Sequence, residues 1–267
     1  MPAVQAAREA ARRIQCSSNL KQIATASLSY ESAWGSFPTG RLGCDEDTSP
    51  PECATDGTHY NIRGALVLIM PYIELNTLHD LNRSTTSTSS VVSRERPTIY
   101  VCPSDTAERT LSATSTAATA SYAMCGGSYG PERTPQCPKK ACTQVKYYND
   151  GMFNYRIPTR VVDVTDGLSS TFLFGEKVDE VISSWTNGLR YVTIRYADAP
   201  LNTPAGMPPA VVLDGKDHNG AFISRHPGGA NFAFADAHVQ FVSENIADRT
   251  YQALATRAGG EVFHDSY

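Results

Sequence analysis

The chain has 267 residues, of which 23 are basic and 27 acidic, giving a formal net charge of −4 and a pI near 5.9. A charge so evenly balanced points to neither the basic groove of a nucleic-acid-binding domain nor an acidic tail, so nucleic acid is not an expected partner. The length suits one large domain with a sizeable core, and no run of 18 apolar residues is present that would cross a bilayer.

Residues 3–33 predict one long helix. Ala, Gln, Arg and Glu, all good helix formers, dominate its first half, and Glu9 and Arg13 stand four apart as a favourable pair. Val4, Ala7, Ala11 and Ile14 make a narrow apolar stripe, and Leu20, Ile23, Ser27 and Tyr30, with Trp34, make a second one rotated slightly from it. Such a helix needs a surface to pack on. No N-cap precedes it, which predicts the lower end of a longer helix. Gly35 ends it, and Pro38 and Gly40 open a loop. Residues 64–75, GALVLIMPYIEL, read as buried core broken by Pro71, with a short helix over 74–82. The tracts STTSTSS (84–90) and SATSTAATA (112–120) are of low complexity. TIYVCP (98–103) reads as a strand stopped by Pro103. From residue 121 the pattern turns β-rich: SYAMC, MFNY, VVDV, STFLFGEK, LRYVTIRY, GAFIS, NFAFAD and HVQFVS are short runs of β-branched and aromatic residues between Gly, Asp, Asn and Pro. Asp248 is the expected N-cap of a closing helix that ends at Gly259-Gly260.

One helix followed by many strands, without βα alternation, predicts an α+β fold in which residues 1–34 lie across a mainly antiparallel sheet formed within a β-rich head, residues 35–267, with inserted loops. Seven cysteines without a CxxC pair argue against a zinc ribbon. They read either as free buried thiols or, as the spacing favours, as disulfides of an oxidising compartment. The expected bridges are Cys44–Cys53 around an acidic loop (Asp45, Glu46, Asp47), Cys125 with either Cys137 or Cys142, and Cys16–Cys102 tying helix to sheet.

The segments PAVQAAREAARRIQCSSNLKQI, YESAWGSFP, MPYIELNTLHDLN, VCPSD, DVTDGLSSTFLFGE, HPGGANFAFADAHVQFV and RAGGEVFHDSY resemble, from residue 2 to residue 267, the bacterial family of prepilin-type cleavage/methylation proteins with a processing-associated His-x9-Asp-Gly C-terminal region, a large group filed mostly as a domain of unknown function. That resemblance implies a type IV pilin-like fold and a pilin-like or pseudopilin subunit of the cell envelope. It also implies an extracytoplasmic head, anchored in the membrane by a hydrophobic helix upstream of residue 2, whose partners are other such subunits. His226 and Asp236 match the signature, with nine residues between them, and Ala237 replaces its Gly. Asp-Gly suits a type I′ turn, and Ala resists the positive φ required there, so a looser or different turn is expected.

The residues offer little catalytic chemistry, and no enzyme is expected. His226 and Asp236 as an acid–base pair yield to a loop histidine and a turn aspartate. Asp214, Asp217 and His218 lack EF-hand spacing and read as a solvated turn. Asp163 and Asp166 are weak candidates for calcium, and no other cofactor is implied. Ser18 and Lys21 match SxxK without its partner motifs. The alternative to a structural subunit is a surface module that captures an extracellular polysaccharide through loops 41–60 and 125–150, with Tyr147, Tyr148 or Trp185 stacking on sugar rings.

Overall fold

The computed structural model describes residues 2–43, 63–83, 91–105, 118–130, 145–177, 184–204, 207, 211–213 and 216–261. The long helix is present as α1, Pro2–Trp34, 33 residues. Gly35, at φ 73°, takes the left-handed conformation that closes it, and its N–H returns to Glu31 O at 2.7 Å. The apolar segment that follows is a single turn, α2 (Ala65–Leu68), and a 3₁₀ turn over Met70–Tyr72 in which Pro71 sits where its missing N–H costs nothing. Two short helices come next, α3 (Asn76–Arg83) and α4 (Val91–Arg94). The remaining elements are β1 (Tyr122–Gly127), α5 (Val145–Tyr148), β2 (Phe172–Glu176), β3 (Ile194–Tyr196), β4 (Val211–Leu213), β5 (Lys216–His218), β6 (Gly229–Phe234), β7 (Val239–Ser243) and α6 (Asp248–Ala255).

Five strands form one sheet in the order β3-β1-β2-β6-β7; every neighbouring pair is antiparallel except β1 with β3. β4 and β5 form a separate hairpin. The fold is α+β with the long helix laid on a mainly antiparallel sheet, as in pilins. Alternation along β6 explains how the two approach. Phe232 and Phe234 point to one face, where they stack with Phe172, Phe222 and Tyr251 of α6. Ala233 and Ala235 join the core on the other face, where their small side chains let α1 approach the strand closely. The sheet is thus covered on one side by α1 and on the other by α6.

Four expected strands are not strands. TIYVCP is a 3₁₀ turn over Thr98–Tyr100 followed by extended residues. Tyr100 is fully buried there and donates its hydroxyl to Leu66 O at 2.6 Å. MFNY contributes only a single bridge from Tyr155 to Arg41, with Phe153 and Tyr155 acting as core plugs. VVDV is a 3₁₀ turn, Val161–Asp163. GAFIS likewise makes only one bridge, at Ile223. In TIYVCP, MFNY and GAFIS aromatic residues fill the core from irregular backbone, a use of the same composition that short-range pattern does not separate from a strand, whereas Val161 and Val162 of VVDV are exposed. Asp248 is the first residue of α6 rather than its cap; Ala247 holds the N-cap position without a side-chain hydrogen bond.

The β6–β7 hairpin is tight, but not of type I′. Phe234 N–H donates to His238 O at 2.9 Å and Ala237 N–H to Phe234 O at 2.9 Å. Ala237 alone of the loop residues has positive φ, at 66°. This is a three-residue loop with its last residue left-handed, the place where Gly is usual. Holding Ala there costs about 1–2 kcal/mol, offset in part by burial of its methyl group in the core.

Candidate functional site

The polar residues that sequence reasoning scattered along the chain converge where α1 meets the sheet. Cys16 of α1 is disulfide-bonded to Cys102, just beyond the Thr98–Tyr100 turn. Two turns earlier on the same helix face, Glu9 reaches His226, in the loop before β6; Glu9 Oε1 lies 2.6 Å from His226 Nδ1. The other ring nitrogen, Nε2, lies 3.1 Å from Oε1 of Glu176 at the end of β2. Both imidazole nitrogens therefore face carboxylate oxygens, and both act as donors only when the ring is protonated.

Around this triad the remaining acceptors are satisfied. Asn231 gives Glu176 its backbone N–H (2.9 Å to Oε2) and its side-chain amide (3.0 Å to Oε1). Arg12 forks onto Glu9 Oε2 at 2.9 and 2.6 Å, and the Ser104 hydroxyl donates to the same carboxylate at 3.3 Å. The side chains of His226 and Glu176 are sealed from solvent, whereas Glu9 and Arg12 are partly exposed. Burial pulls the His226 pKa down, but Glu176 and Glu9 outweigh it and hold the ring above its ordinary value. Burial likewise pushes Glu9 up, and the bonds from His226 and Arg12 bring it net below its ordinary value. The result is a balanced run of two acids and two bases clamping the helix to the head.

The disulfide lies against this clamp. Cys102 Sγ is 3.6 Å from His226 Nε2 and 4.0 Å from Glu176 Oε1. A disulfide sulfur carries no proton, so it donates to neither: the Glu176 contact is packing, and toward His226 the sulfur acts at most as a weak acceptor. One ligand atom from each of Cys16, Cys102, Glu176 and His226 lies within 4.8 Å of the others, and all four residues are buried.

The other sequence candidates do not converge. Asp236 accepts from His238, at 2.9 Å from its N–H and 2.6 Å to Nδ1, on the hairpin tip, so the two signature residues have different partners. Asp163 is held by the exposed Arg160 at 2.8–3.0 Å, and those hydrogen bonds lower its pKa to about 2. Asp166 collects Thr256 Oγ1 and the N–H groups of Gly259 and Gly260, at 2.7–3.1 Å, pinning the chain beyond α6. These two carboxylates are committed to protein donors rather than presented together to calcium. Cys125, expected to bridge Cys137 or Cys142, is a free thiol: it faces the α6 side of the sheet, 3.9 Å from Ala255 O, and burial pushes it up to about 12. Cys137, Cys142 and the Cys44–Cys53 pair lie outside the described residues, as does Asp214. Of the aromatic candidates, Tyr147 and Trp185 are fully buried, with Trp185 Nε1–H bonded to Glu95 O at 2.7 Å; Tyr148 is exposed.

A single family model spans residues 5–249, almost the whole of this fold and every member of the clamp. The chain belongs to that family, DUF1559 (SBP_bac_10), described as proteins of unknown function. No curated protein and no solved structure matches the chain. The family description carries no activity with it.

That surface also corrects the sequence reading. Glu9 pairs with Arg12, not Arg13, whose guanidinium lies 3.4 Å from the centre of the Phe241 ring on β7. At about 100° per residue, Val4, Ala7, Ala11 and Ile14 lie opposite Glu9, Cys16, Leu20 and Ser27, not slightly rotated from them. All four are exposed, Ile14 at 71% and Val4 at 57%, while Cys16, Leu20, Ile23, Ala24 and Ser27 are buried. No helix among the described residues is long and apolar enough to cross a membrane.

Proposed function

We propose that this chain is the extracytoplasmic head of a pilin-like envelope protein, a structural subunit that associates with other copies through the outward stripe of α1 and catalyses no reaction. The observation that carries the reading is that stripe: Val4, Ala7, Ala11 and Ile14 form an apolar line on the exposed side of the helix. An apolar stripe on a helix is ordinarily the side that is covered. Its occupant in this reading is the same stripe of a second copy, with Ala7 and Ala11 permitting close helix approach. The resemblance to prepilin-type proteins supports the choice, as does the helix-on-sheet architecture. The Cys16–Cys102 disulfide fits an oxidising compartment outside the cytoplasm.

A membrane-anchoring helix preceding residue 2 belongs to the same proposal. A photo-crosslinking residue placed at Ile14 of the natural protein, in intact cells, is expected to capture a second copy. The same residue at Val162, exposed on the head, is expected not to do so. Capture at Val162 but not at Ile14 contradicts the reading.

A further inference from the structure

We propose that Cys16, Cys102, Glu176 and His226 form a redox-gated binding site for a zinc-class divalent cation, closed while the two cysteines are bridged and open once they are reduced. Two thiolates, one imidazole and one carboxylate are a donor set for tetrahedral zinc. Ligand bonds of about 2.3 Å to sulfur and about 2.0–2.1 Å to nitrogen and oxygen place tetrahedral ligand atoms about 3.3–3.8 Å apart. Three of the separations already stand near that range: 3.6 Å from Cys102 Sγ to His226 Nε2, 3.1 Å from Nε2 to Glu176 Oε1 and 4.0 Å from Cys102 Sγ to Oε1. The two sulfurs are far too close, because they are bonded to each other.

The groups behind the ligands are arranged as a metal site requires. A histidine ligand ordinarily gives its second ring N–H to a carboxylate, which fixes the tautomer and the ring orientation. Glu9 occupies that position on His226 Nδ1 at 2.6 Å, leaving Nε2 to face the sulfurs, and Arg12 holds Glu9 in turn. Glu176 is oriented by both donors of Asn231. All four ligands are buried, so the site is closed, of structural type, with no open coordination position implied.

The chemistry balances. A phosphine reductant accepts one oxygen from water and is oxidised to the phosphine oxide, while the disulfide takes up two electrons and two protons to become two thiols. Zinc then displaces one proton from each thiol and one from the imidazolium, and the carboxylate binds already ionised. The bridge and the ion are alternative ways of joining α1 to the head at the same point.

The test uses the full chain, oxidised or reduced by a phosphine under anaerobic conditions, with Co²⁺ as an optical probe and Zn²⁺ as competitor. The reduced protein is expected to bind one Co²⁺ per chain at this site, with tetrahedral d–d bands and thiolate-to-cobalt charge transfer that Zn²⁺ abolishes. The oxidised protein should show neither. Replacing both cysteines together, Cys16→Ser with Cys102→Ser, should remove the charge-transfer band, whereas Cys125→Ser keeps it. Glu9→Gln, which touches no ion, should weaken binding by about 10–100-fold. If reduction loosens the fold, near-ultraviolet circular dichroism is expected to recover on adding Zn²⁺. The proposal is overturned if the reduced chain gives no tetrahedral cobalt spectrum, if Cys16→Ser and Cys102→Ser leave that spectrum intact, or if Zn²⁺ fails to restore a fold lost on reduction.

Discussion

The two ends of α1 share one continuous helix but have opposite relations to the rest of the molecule. From Cys16 to Ser27 the inward face is fully enclosed: Leu20, Ile23, Ala24 and Ala26 join the main core, Cys16 is bridged to Cys102, and the amide of Asn19 donates to Val101 O at 3.0 Å. From Ala3 to Arg8 every residue is exposed. The first region is specified by packing and the second by helix propensity alone, since Ala, Gln and Arg keep it helical without tertiary contacts. Glu9, Arg12 and Arg13 mark the boundary, where the head takes hold through charge and ring contacts before it does so through burial. One helix can therefore belong to the head by its inner face while offering its outer face to something else.

Substitutions should separate the two regions, and the largest expected effect is at the clamp. His226→Ala leaves the buried carboxylate of Glu176 without its cation, and removing one partner of a buried pair costs about 3–5 kcal/mol. Urea unfolding of the oxidised protein measures it, and a loss below about 1 kcal/mol would break the assignment of His226 as a structural tie. Next is Cys102→Ser. The bridge closes a loop with a sequence separation of 86 residues, and its removal should cost about 2–5 kcal/mol, read as a lowered denaturation midpoint.

The clamp also has a pH signature in the oxidised protein, where the sulfurs are bonded to each other. His226 is raised above its ordinary value of 6.5, so its stabilisation is complete below that pH and is lost as pH rises through the folded value. Glu9 is lowered below 4.5, so its contribution is complete above that pH and is lost as pH falls through the folded value. The tie is strongest between those two ordinary values. A Glu9→Gln variant should flatten both flanks of the stability profile, the alkaline one because His226 loses an acceptor; unchanged flanks would contradict the assignment. Smaller again is Arg13→Ala, which gives up a cation–π contact worth about 0.5–1 kcal/mol by the same unfolding assay. Smallest is Val4→Gln, expected to stay within about 0.5 kcal/mol because that side chain is exposed.

Much of the fold was legible because its longest elements have a clear period. Helix-forming composition with its apolar stripes pointed to α1, and runs of β-branched and aromatic residues on either side of Asp236-Ala237 pointed to β6, β7 and the turn between them. The short aromatic runs failed for one reason. Tyr100, Phe153 and Tyr155 are chosen for volume and burial, and a buried plug on irregular backbone has the same composition as a strand. The Cys16–Cys102 pairing was accessible from cysteine arithmetic, but the site around it was not. Glu9 and His226 are 217 residues apart in sequence, and only the packing of α1 against β6 brings them together. Two faint signals existed. Glu9 and Cys16 share a helix face seven residues apart, and Glu176 is an acid ending a wholly buried strand, FLFGE.

The division of α1 is tested most directly by native-state amide hydrogen exchange along the helix in the oxidised chain. Amides around Cys16–Ser27 should open only with free energies close to that of global unfolding, while those before Glu9 should exchange with little protection. Uniform protection from Ala3 onward, or loss of protection around Leu20 at native conditions, would contradict it.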